Sequence, residues 1–206
     1  MSAQPVPRIS SAEYLRAERL ARSKSEYHDG TVVAMSGASR VHNQIVRNLT
    51  GMLYNQLAGG RCNNYASDMR VSVRKGRFYL YPDVVVTCGE EEFEDGRFDT
   101  LVNPVVVFEI LSRSTERYDR GAKFLAYQSI ASLREYVLVT QSPRRFEVFR
   151  RGNDGAWSYQ CWAFSPPPLV LESIGCTLNA DDVYHKTEAA TTDDRPETQH
   201  DEPDAV

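Results

Sequence analysis

The sequence lacks most of the short patterns that assign a chemistry directly. Its four cysteines are scattered without a CxxC pair and its four histidines form no HExxH, so neither a zinc site nor a redox motif is predicted. The P-loop, the dinucleotide-binding G-x-G-x-x-G and the serine-hydrolase G-x-S-x-G are absent as well. Nucleotide-driven and serine-dependent functions therefore have no support in the sequence.

Long apolar runs are also missing. Apolar runs such as those at 84–86 and 105–108 are far too short to span a bilayer. The first residues do not show the charged and then apolar order of an export signal. We therefore predict a cytoplasmic protein that has no membrane segment and whose cysteines are reduced.

The negative charge of the chain is concentrated at one end. The 206 residues carry a net charge of −4, but residues 187–206 contain seven acids and one base, Arg195, so the remainder is slightly basic. This end has no aromatic residue and almost no apolar one, so it cannot offset the entropy of ordering itself. The sequence predicts one domain over 1–186, followed by an acidic, disordered tail over 187–206.

Apolar periodicity and turn residues predict an α/β fold with a mixed central β-sheet flanked by helices. Helices are predicted at 11–23, 42–60 and 115–130. Short strands are predicted at 62–67, 69–73, 77–81, 134–140, 145–151 and 156–162, and a hairpin at 25–35. The polar stretch 88–101 is predicted to be a surface loop, and 169–184 follows no single pattern.

Two strongly apolar stretches, 78–87 and 103–112, each carry one acid, Asp83 and Glu109. An unpaired carboxylate in a dry strand would cost several kcal/mol, so each acid needs a proton, a partner or a metal ion. A structural salt bridge is the simpler explanation for a single acid. Two acids on consecutive strands can also converge around a hard divalent cation, which takes one or two carboxylates.

Seven segments together form a pattern that is more specific than any of them alone. They are SEYHDGTVVAMSGAS, HNQIVRNL, YPDVVV, NPVVVFEILSRST, RYDRGAKFLAYQ, SLREYVLV and LESIGC. In this combination the chain resembles a large bacterial family of restriction-endonuclease-like proteins within the PD-(D/E)xK nuclease superfamily, over about residues 11–185. The resemblance implies a restriction endonuclease-like core and metal-dependent hydrolysis of phosphodiester bonds.

The resemblance also implies a set of site residues. Asp83, which follows Pro82, and Glu109 match the two metal-binding acids, and the backbone carbonyl of Ile110 is a further expected ligand of Mg²⁺ or Mn²⁺. The lysine that normally lies two residues after the second acid is replaced here by Leu111. The expected catalytic lysine is instead Lys123, fourteen positions after Glu109, on the following helix.

Further candidates rest on weaker signals. Glu26 matches an upstream acid that ligates metal or positions water, and it is equally explained as a solvated residue before a hairpin. His42 could contact phosphate or simply begin its helix, and Asp68 is a spare acid. Three arginines are candidates for nucleic-acid contacts: Arg113, Arg117 and Arg120. Interleaved acids make an ordinary salt-bridged helix surface an equal explanation for these arginines.

We therefore predict a Mg²⁺-dependent endonuclease, a hydrolase that acts on DNA, with a homodimer as a further expectation. The alternative is a catalytically inactive nuclease-fold protein that binds nucleic acid or a protein partner. A purely structural or regulatory dimer is the third hypothesis.

Overall fold

A computed structural model describes residues 8–187, and the predicted tail beyond Thr187 lies outside them. The helices are α1 (Ser11–Glu18), α2 (Arg40–Leu57), α3 (Glu116–Tyr118), α4 (Phe124–Tyr127) and α5 (Ala180–Val183). The strands are β1 (Ser25–His28), β2 (Thr31–Ala34), β3 (Cys62–Ala66), β4 (Arg70–Val73), β5 (Phe78–Leu80), β6 (Val84–Cys88), β7 (Thr100–Leu101), β8 (Val106–Leu111), β9 (Glu135–Thr140), β10 (Arg145–Arg151), β11 (Trp157–Ala163), β12 (Leu169–Leu171) and β13 (Cys176–Leu178). A π-helical segment, Asp119–Lys123, lies between α3 and α4.

The central sheet is mixed, as the sequence predicts. Its strand order is β11-β10-β9-β8-β6-β3. Strands β8 and β9 pair in parallel, while β6 and β8 pair antiparallel with Val84 opposite Phe108. All six residues of β8 are buried. Burial on both faces explains why this strand is apolar without alternation.

Helix α2 covers one face of the central sheet. Its buried residues Ile45, Leu49 and Leu53 recur at helical spacing and pack in one cluster with Val84 and Phe108. The helix begins at Arg40, two residues before the predicted start, because the Ser39 side chain accepts a hydrogen bond from the His42 N–H.

A second sheet, with strand order β2-β1-β5-β4-β7, packs on the other face together with α4. The residues between the two sheets include Val71 and Leu80 from the second sheet and Val85 and Val107 from the central one. Helix α1 stacks Tyr14 on the second sheet. The second sheet therefore brings β1 close to the central strands.

The predicted helix at 115–130 is broken into α3, the π-helical segment and α4. The wider turn lets Asp119 and Lys123 both point inward, where they are buried. The Tyr136 hydroxyl donates a hydrogen bond to the Asp119 carbonyl, which lies within the widened turn. A side chain on β9 thus supports a break that the local sequence does not indicate.

Three other expectations need correction or completion. Cys62 and Cys88 are opposite each other on β3 and β6 and form a disulfide, so the prediction that these cysteines are reduced is wrong. The predicted loop 88–101 ends in β7, and the unplaced stretch 169–184 forms the β12–β13 hairpin and α5. Within the described residues, no helix combines the length and apolar character needed to cross a membrane.

Candidate active site

Asp83 and Glu109 approach each other at one end of the central sheet. Continuing the Val84–Phe108 register by one position sets Asp83 opposite Glu109, and opposite residues of an antiparallel pair share a face. Asp83 Oδ2 also accepts a hydrogen bond from the Ile110 N–H at 2.7 Å. Both carboxylates therefore lie at the same end of β8, as their positions in the sequence predict.

Lys123 reaches this point from the π-helical segment. Its Nζ lies 2.9 Å from Glu109 Oε1, and both residues are buried. Leu111, which stands where the superfamily pattern has its lysine, is part of the core between the sheets. An ammonium group from the following element thus reaches the second acid.

The buried lysine has two more acidic neighbours. Its Nζ is 3.3 Å from Glu26 Oε1 and 3.7 Å from Asp119 Oδ1. Burial alone would lower the pKa of Lys123, but the carboxylates of Glu109 and Glu26 outweigh it and raise this pKa well above its usual value. Lys123 therefore stays protonated at neutral pH.

For Glu109, burial outweighs the attraction of its charged partner, and its pKa is raised. Burial raises its pKa, and the charges of Asp119 and Asp83 add to this effect against the attraction of Lys123. Its ionised form is thus disfavoured without further positive charge. A divalent cation beside Asp83 would supply that charge.

Glu26 is 6% exposed, so its interpretation as a solvated residue before a hairpin is wrong. One carboxylate oxygen accepts the Tyr81 N–H at 3.2 Å and faces Lys123, and the other lies 3.1 Å from His28 Nε2. Burial works to raise the pKa of Glu26, but Lys123, His28 and the backbone lower it to about 2. Glu26 therefore stays ionised and anchors Lys123.

His42 was only a minor candidate in the sequence, yet it contacts the first acid. Its Nε2 lies 3.1 Å from Asp83 Oδ1, while Nδ1 is covered and has no hydrogen-bond partner among the described residues. The signal that could have indicated this contact is its place in the first turn of α2, whose apolar face packs on β6. His42 and the Ile110 N–H together fix the Asp83 carboxylate.

His28 and Tyr118 were not predicted as site residues. Their rings stack with centroids 5.4 Å apart, and the Tyr118 hydroxyl lies 3.1 Å from His28 Nε2. Because His28 in turn contacts Glu26, this pair forms the outer wall around the buried lysine. Its only signal in the sequence was the position of His28 two residues after Glu26.

The three candidate arginines do not behave alike. Arg120 forms ion pairs of 2.7 Å with Glu116 and with the buried Glu147, as the salt-bridged surface alternative expects. Arg113 and Arg117 are exposed and form no ion pair within residues 8–187. A nucleic-acid role for these two arginines stays a prediction.

The donor set limits which metal sites are feasible. Within residues 8–187, no three or more His, Cys, Asp or Glu side chains are arranged to hold a metal ion. Mg²⁺ and Mn²⁺ nevertheless need only one or two carboxylates, with water and substrate oxygens completing the shell. Asp83 Oδ2 accepts one hydrogen bond, from the Ile110 N–H, and Oδ1 lies 3.1 Å from His42 Nε2, so each oxygen keeps a lone pair free and Asp83 and Glu109 fit such an ion.

Comparison with known proteins finds a matching family and relatives in sequence. The model of the Uma2 family, described as "Putative restriction endonuclease", matches residues 11–178. The uncharacterised protein slr1290 of Synechocystis sp. is 37% identical over 183 residues, which cover 87% of this chain and 93% of that protein. The uncharacterised protein sll1609 of the same organism is 34% identical over 149 residues, 72% of this chain and 84% of that protein.

A solved structure shares the fold. It is described as a putative nuclease belonging to DUF820 from Anabaena variabilis ATCC 29413, and the match covers 85% of this chain and 97% of that chain with a TM-score of 0.69. At 15% sequence identity this likeness concerns the fold alone, and it confirms the predicted α/β fold class. Because the family model matches most of the chain, this protein belongs to the Uma2 family.

Proposed function

We propose that this protein is a metal-dependent nuclease that hydrolyses phosphodiester bonds of DNA, with Asp83 and Glu109 holding Mg²⁺ or Mn²⁺. The observation that carries the proposal is the convergence of both acids on one end of β8, with the Lys123 ammonium 2.9 Å from Glu109. The description of the Uma2 family and the fold of its structural neighbour support a nuclease over other hydrolases.

The charge balance of the site supports a cation there. Glu109 is buried beside Asp83 and Asp119, and these surroundings raise its pKa. A divalent ion, when bound, supplies Lewis-acid polarisation of a phosphate and acidifies water. The residues of the chain then hold the substrate phosphate, and the groups that donate protons to it, in place.

Each neighbour of the two acids has a distinct task in this proposal. His42 and the Ile110 N–H orient the Asp83 carboxylate. Lys123 offers positive charge to a phosphoryl oxygen in a setting where burial strengthens electrostatic attraction. One carboxylate oxygen of Glu26 holds the Lys123 ammonium in position, and the other oxygen contacts His28.

The test compares cleavage and metal binding in matched variants. Supercoiled plasmid, linear duplex, single-stranded and branched DNA, and single-stranded RNA are incubated with the parent protein and Mg²⁺ or Mn²⁺. We expect the parent to cut DNA, Asp83→Asn to lose at least a hundredfold in rate, and Asp68→Asn to match the parent. Asp68 is a suitable control because it forms an exposed ion pair with Lys24.

A second readout does not depend on activity. Mn²⁺ is expected to raise the melting temperature of the parent and of Asp68→Asn, but not that of Asp83→Asn, because ligand binding stabilises only the folded state that binds it. Absence of cutting on every substrate, or a Mn²⁺ shift that survives in Asp83→Asn, would overturn the proposal. DNA retention without cutting would instead favour the inactive, binding alternative.

A further inference from the structure

A groove of about 620 Å³ lies beside the candidate active site, between α2 and the edge strand β3. Its walls are Asn43, Val46, Arg47, Thr50, Gly51, Tyr54, Asn55, Asn64 and Ala66. The volume is within the range of protein sites for small organic ligands. Nothing in the proposed hydrolysis uses this groove.

One end of the groove lies close in sequence and in space to residues that contact Asp83. Asn43 directly follows His42, the residue that contacts Asp83. Ala66 pairs with Val84, and the next residue, Ser67, donates its N–H to the Asp83 carbonyl at 2.9 Å. From Asn43 to Tyr54 the helix rises about 16 Å, so the groove leads away from Asp83 over several nucleotide-sized units.

The lining of the groove favours an anionic ligand. It contains no acid, and its single charged residue, Arg47, is exposed and forms no ion pair or hydrogen bond with any described residue. In a protein whose net charge is −4, an unopposed guanidinium beside the site is a local positive centre. Phosphate groups are the anions that would reach it from a substrate bound at Asp83.

The groove also offers a flat aromatic face and free amides. Among the described residues, Tyr54, which is 69% exposed, contacts no other ring, and the Asn55 side chain has no hydrogen-bond partner. The Asn64 side chain donates one N–H to the Thr50 carbonyl, and its amide oxygen has no hydrogen-bond partner among the described residues. Gly51 leaves open space in the groove, because no atom lies within 4 Å of the position that a Cβ would take there.

We propose that this groove binds a single strand of nucleic acid next to the phosphate held at the active site, an inference that rests on the proposed function. Arg47 contacts the backbone, Tyr54 stacks on an unpaired base, and the asparagine amides contact base edges. A single strand fits better than a duplex because paired and stacked bases have no free face for Tyr54.

The test measures binding without hydrolysis. A short labelled single-stranded DNA, its RNA counterpart and the DNA duplex are titrated in EDTA with fluorescence anisotropy as the readout. We expect the single strands to bind more tightly than the duplex. Tyr54→Ala is expected to weaken single-strand binding about five- to hundredfold, the range for loss of one stacked base, while Tyr54→Phe keeps it.

Arg47→Ala supplies an independent readout. It is expected to weaken binding and to reduce the slope of log affinity against log salt by about 0.7, the value for one lost phosphate contact on a single strand. Phe164→Ala and Arg22→Ala are matched controls, since both residues are exposed and lie outside the groove. Both controls should bind within about twofold of the parent.

The outcomes separate the groove from the hydrolysis. No single-strand binding by the parent, unchanged binding by Tyr54→Ala, or a preference for the duplex would each overturn the groove. Binding that depends on Tyr54 supports the groove even where the parent cuts nothing, because EDTA removes the metal from the comparison. Tighter binding of the single-stranded DNA or of its RNA counterpart shows which sugar the groove prefers. Either result supports a single-strand site.

Discussion

Lys123 is the residue on which the charge balance of the active site depends. Its ammonium lies within 4 Å of carboxylate oxygens of Glu26, Glu109 and Asp119. Without it, three buried acids would face one another without an ammonium group between them. The lysine is therefore a structural counter-ion as well as the proposed source of positive charge for catalysis.

This arrangement predicts opposite effects of two neutral substitutions. Lys123→Met is expected to lower the free energy of unfolding by about 3–5 kcal/mol, because it removes the ammonium partner of the buried, ionised Glu26. Glu109→Gln is expected to change it by less than about 1 kcal/mol, because burial already disfavours the ionised form of Glu109 and Lys123 keeps Glu26 as a partner. Urea unfolding in EDTA at pH 7 measures both effects.

Lys24→Met is the matched control for this pair. Lys24 also contacts an acid, Asp68, but that acid is 91% exposed, so its loss should cost at most about 1 kcal/mol. If Lys123→Met were as stable as Lys24→Met, the buried cluster of three acids around one lysine would not exist in solution.

The sequence could predict some of these residues and not others. Asp83 and Glu109 stood out because acids are rare within strongly apolar strands. His42, His28 and Tyr118 gave no comparable signal, because their importance arises from contacts with residues distant in sequence, such as the 90-residue separation between Tyr118 and His28. Glu26 was found through the resemblance, but its burial depends on packing between two sheets.

Among the elements, the π-helical segment Asp119–Lys123 determines where Lys123 points. Asp119 and Lys123 are both buried, and the Tyr136 hydroxyl donates a hydrogen bond of 2.9 Å to the Asp119 carbonyl. π-Helical turns are rare and often occur at functional sites. The hydrogen bond from β9 therefore helps to hold the turn that delivers the lysine.

Two tyrosine-to-phenylalanine substitutions test this contribution. Tyr136→Phe is expected to destabilise the protein by about 1–3 kcal/mol, because the buried Asp119 carbonyl loses its donor. Tyr127→Phe is the control, since its hydroxyl is buried and has no hydrogen-bond partner within residues 8–187, and it should be neutral or slightly stabilising. Thermal unfolding by circular dichroism measures both. Equal effects of the two substitutions would show that the Tyr136 hydrogen bond does not support the turn.

Element prediction from the sequence succeeded where the pattern is local. The apolar spacing of α2 and the β1–β2 hairpin turn at Asp29-Gly30 need only nearby residues, and both elements are present. The break in the helix at 115–130 depends on Tyr136, and the short strand β7 forms through its pairing with β4. Local patterns carry no information about such partners.

At the scale of the whole molecule, the active site lies where two sheets meet. The central sheet contributes Asp83 and Glu109, the second sheet contributes Glu26 through β1, and Lys123 joins them from the segment after β8. The order of strands within each sheet could not be read from the sequence, since it depends on pairings between distant segments. The ionisation of Glu26 consequently reports on the assembly of the complete fold.

This coupling predicts how stability depends on pH. The pKa of Glu26 is lowered from 4.5 to about 2 in the folded protein, so the unfolded chain takes up its proton first as the pH falls. Glu26 therefore contributes about 3 kcal/mol at neutral pH, which is lost between about pH 4.5 and pH 2. Glu26→Gln should be less stable than the parent by that amount at pH 7, with the difference shrinking through this window.

Glu172→Gln serves as the control for this experiment, because Glu172 is exposed and lies outside the site. Urea unfolding of the parent and both variants from pH 7 down to pH 2 gives the comparison. The raised pKa values of Glu109 and Asp119 act in the opposite direction in all three proteins. The Glu109 contribution cancels in the difference between parent and variant, whereas the Asp119 contribution is smaller in Glu26→Gln because the charge of Glu26 helps to raise the pKa of Asp119. A difference between the parent and Glu26→Gln that stays constant with pH would mean that Glu26 titrates normally, and that the second sheet does not deliver an ionised carboxylate to Lys123.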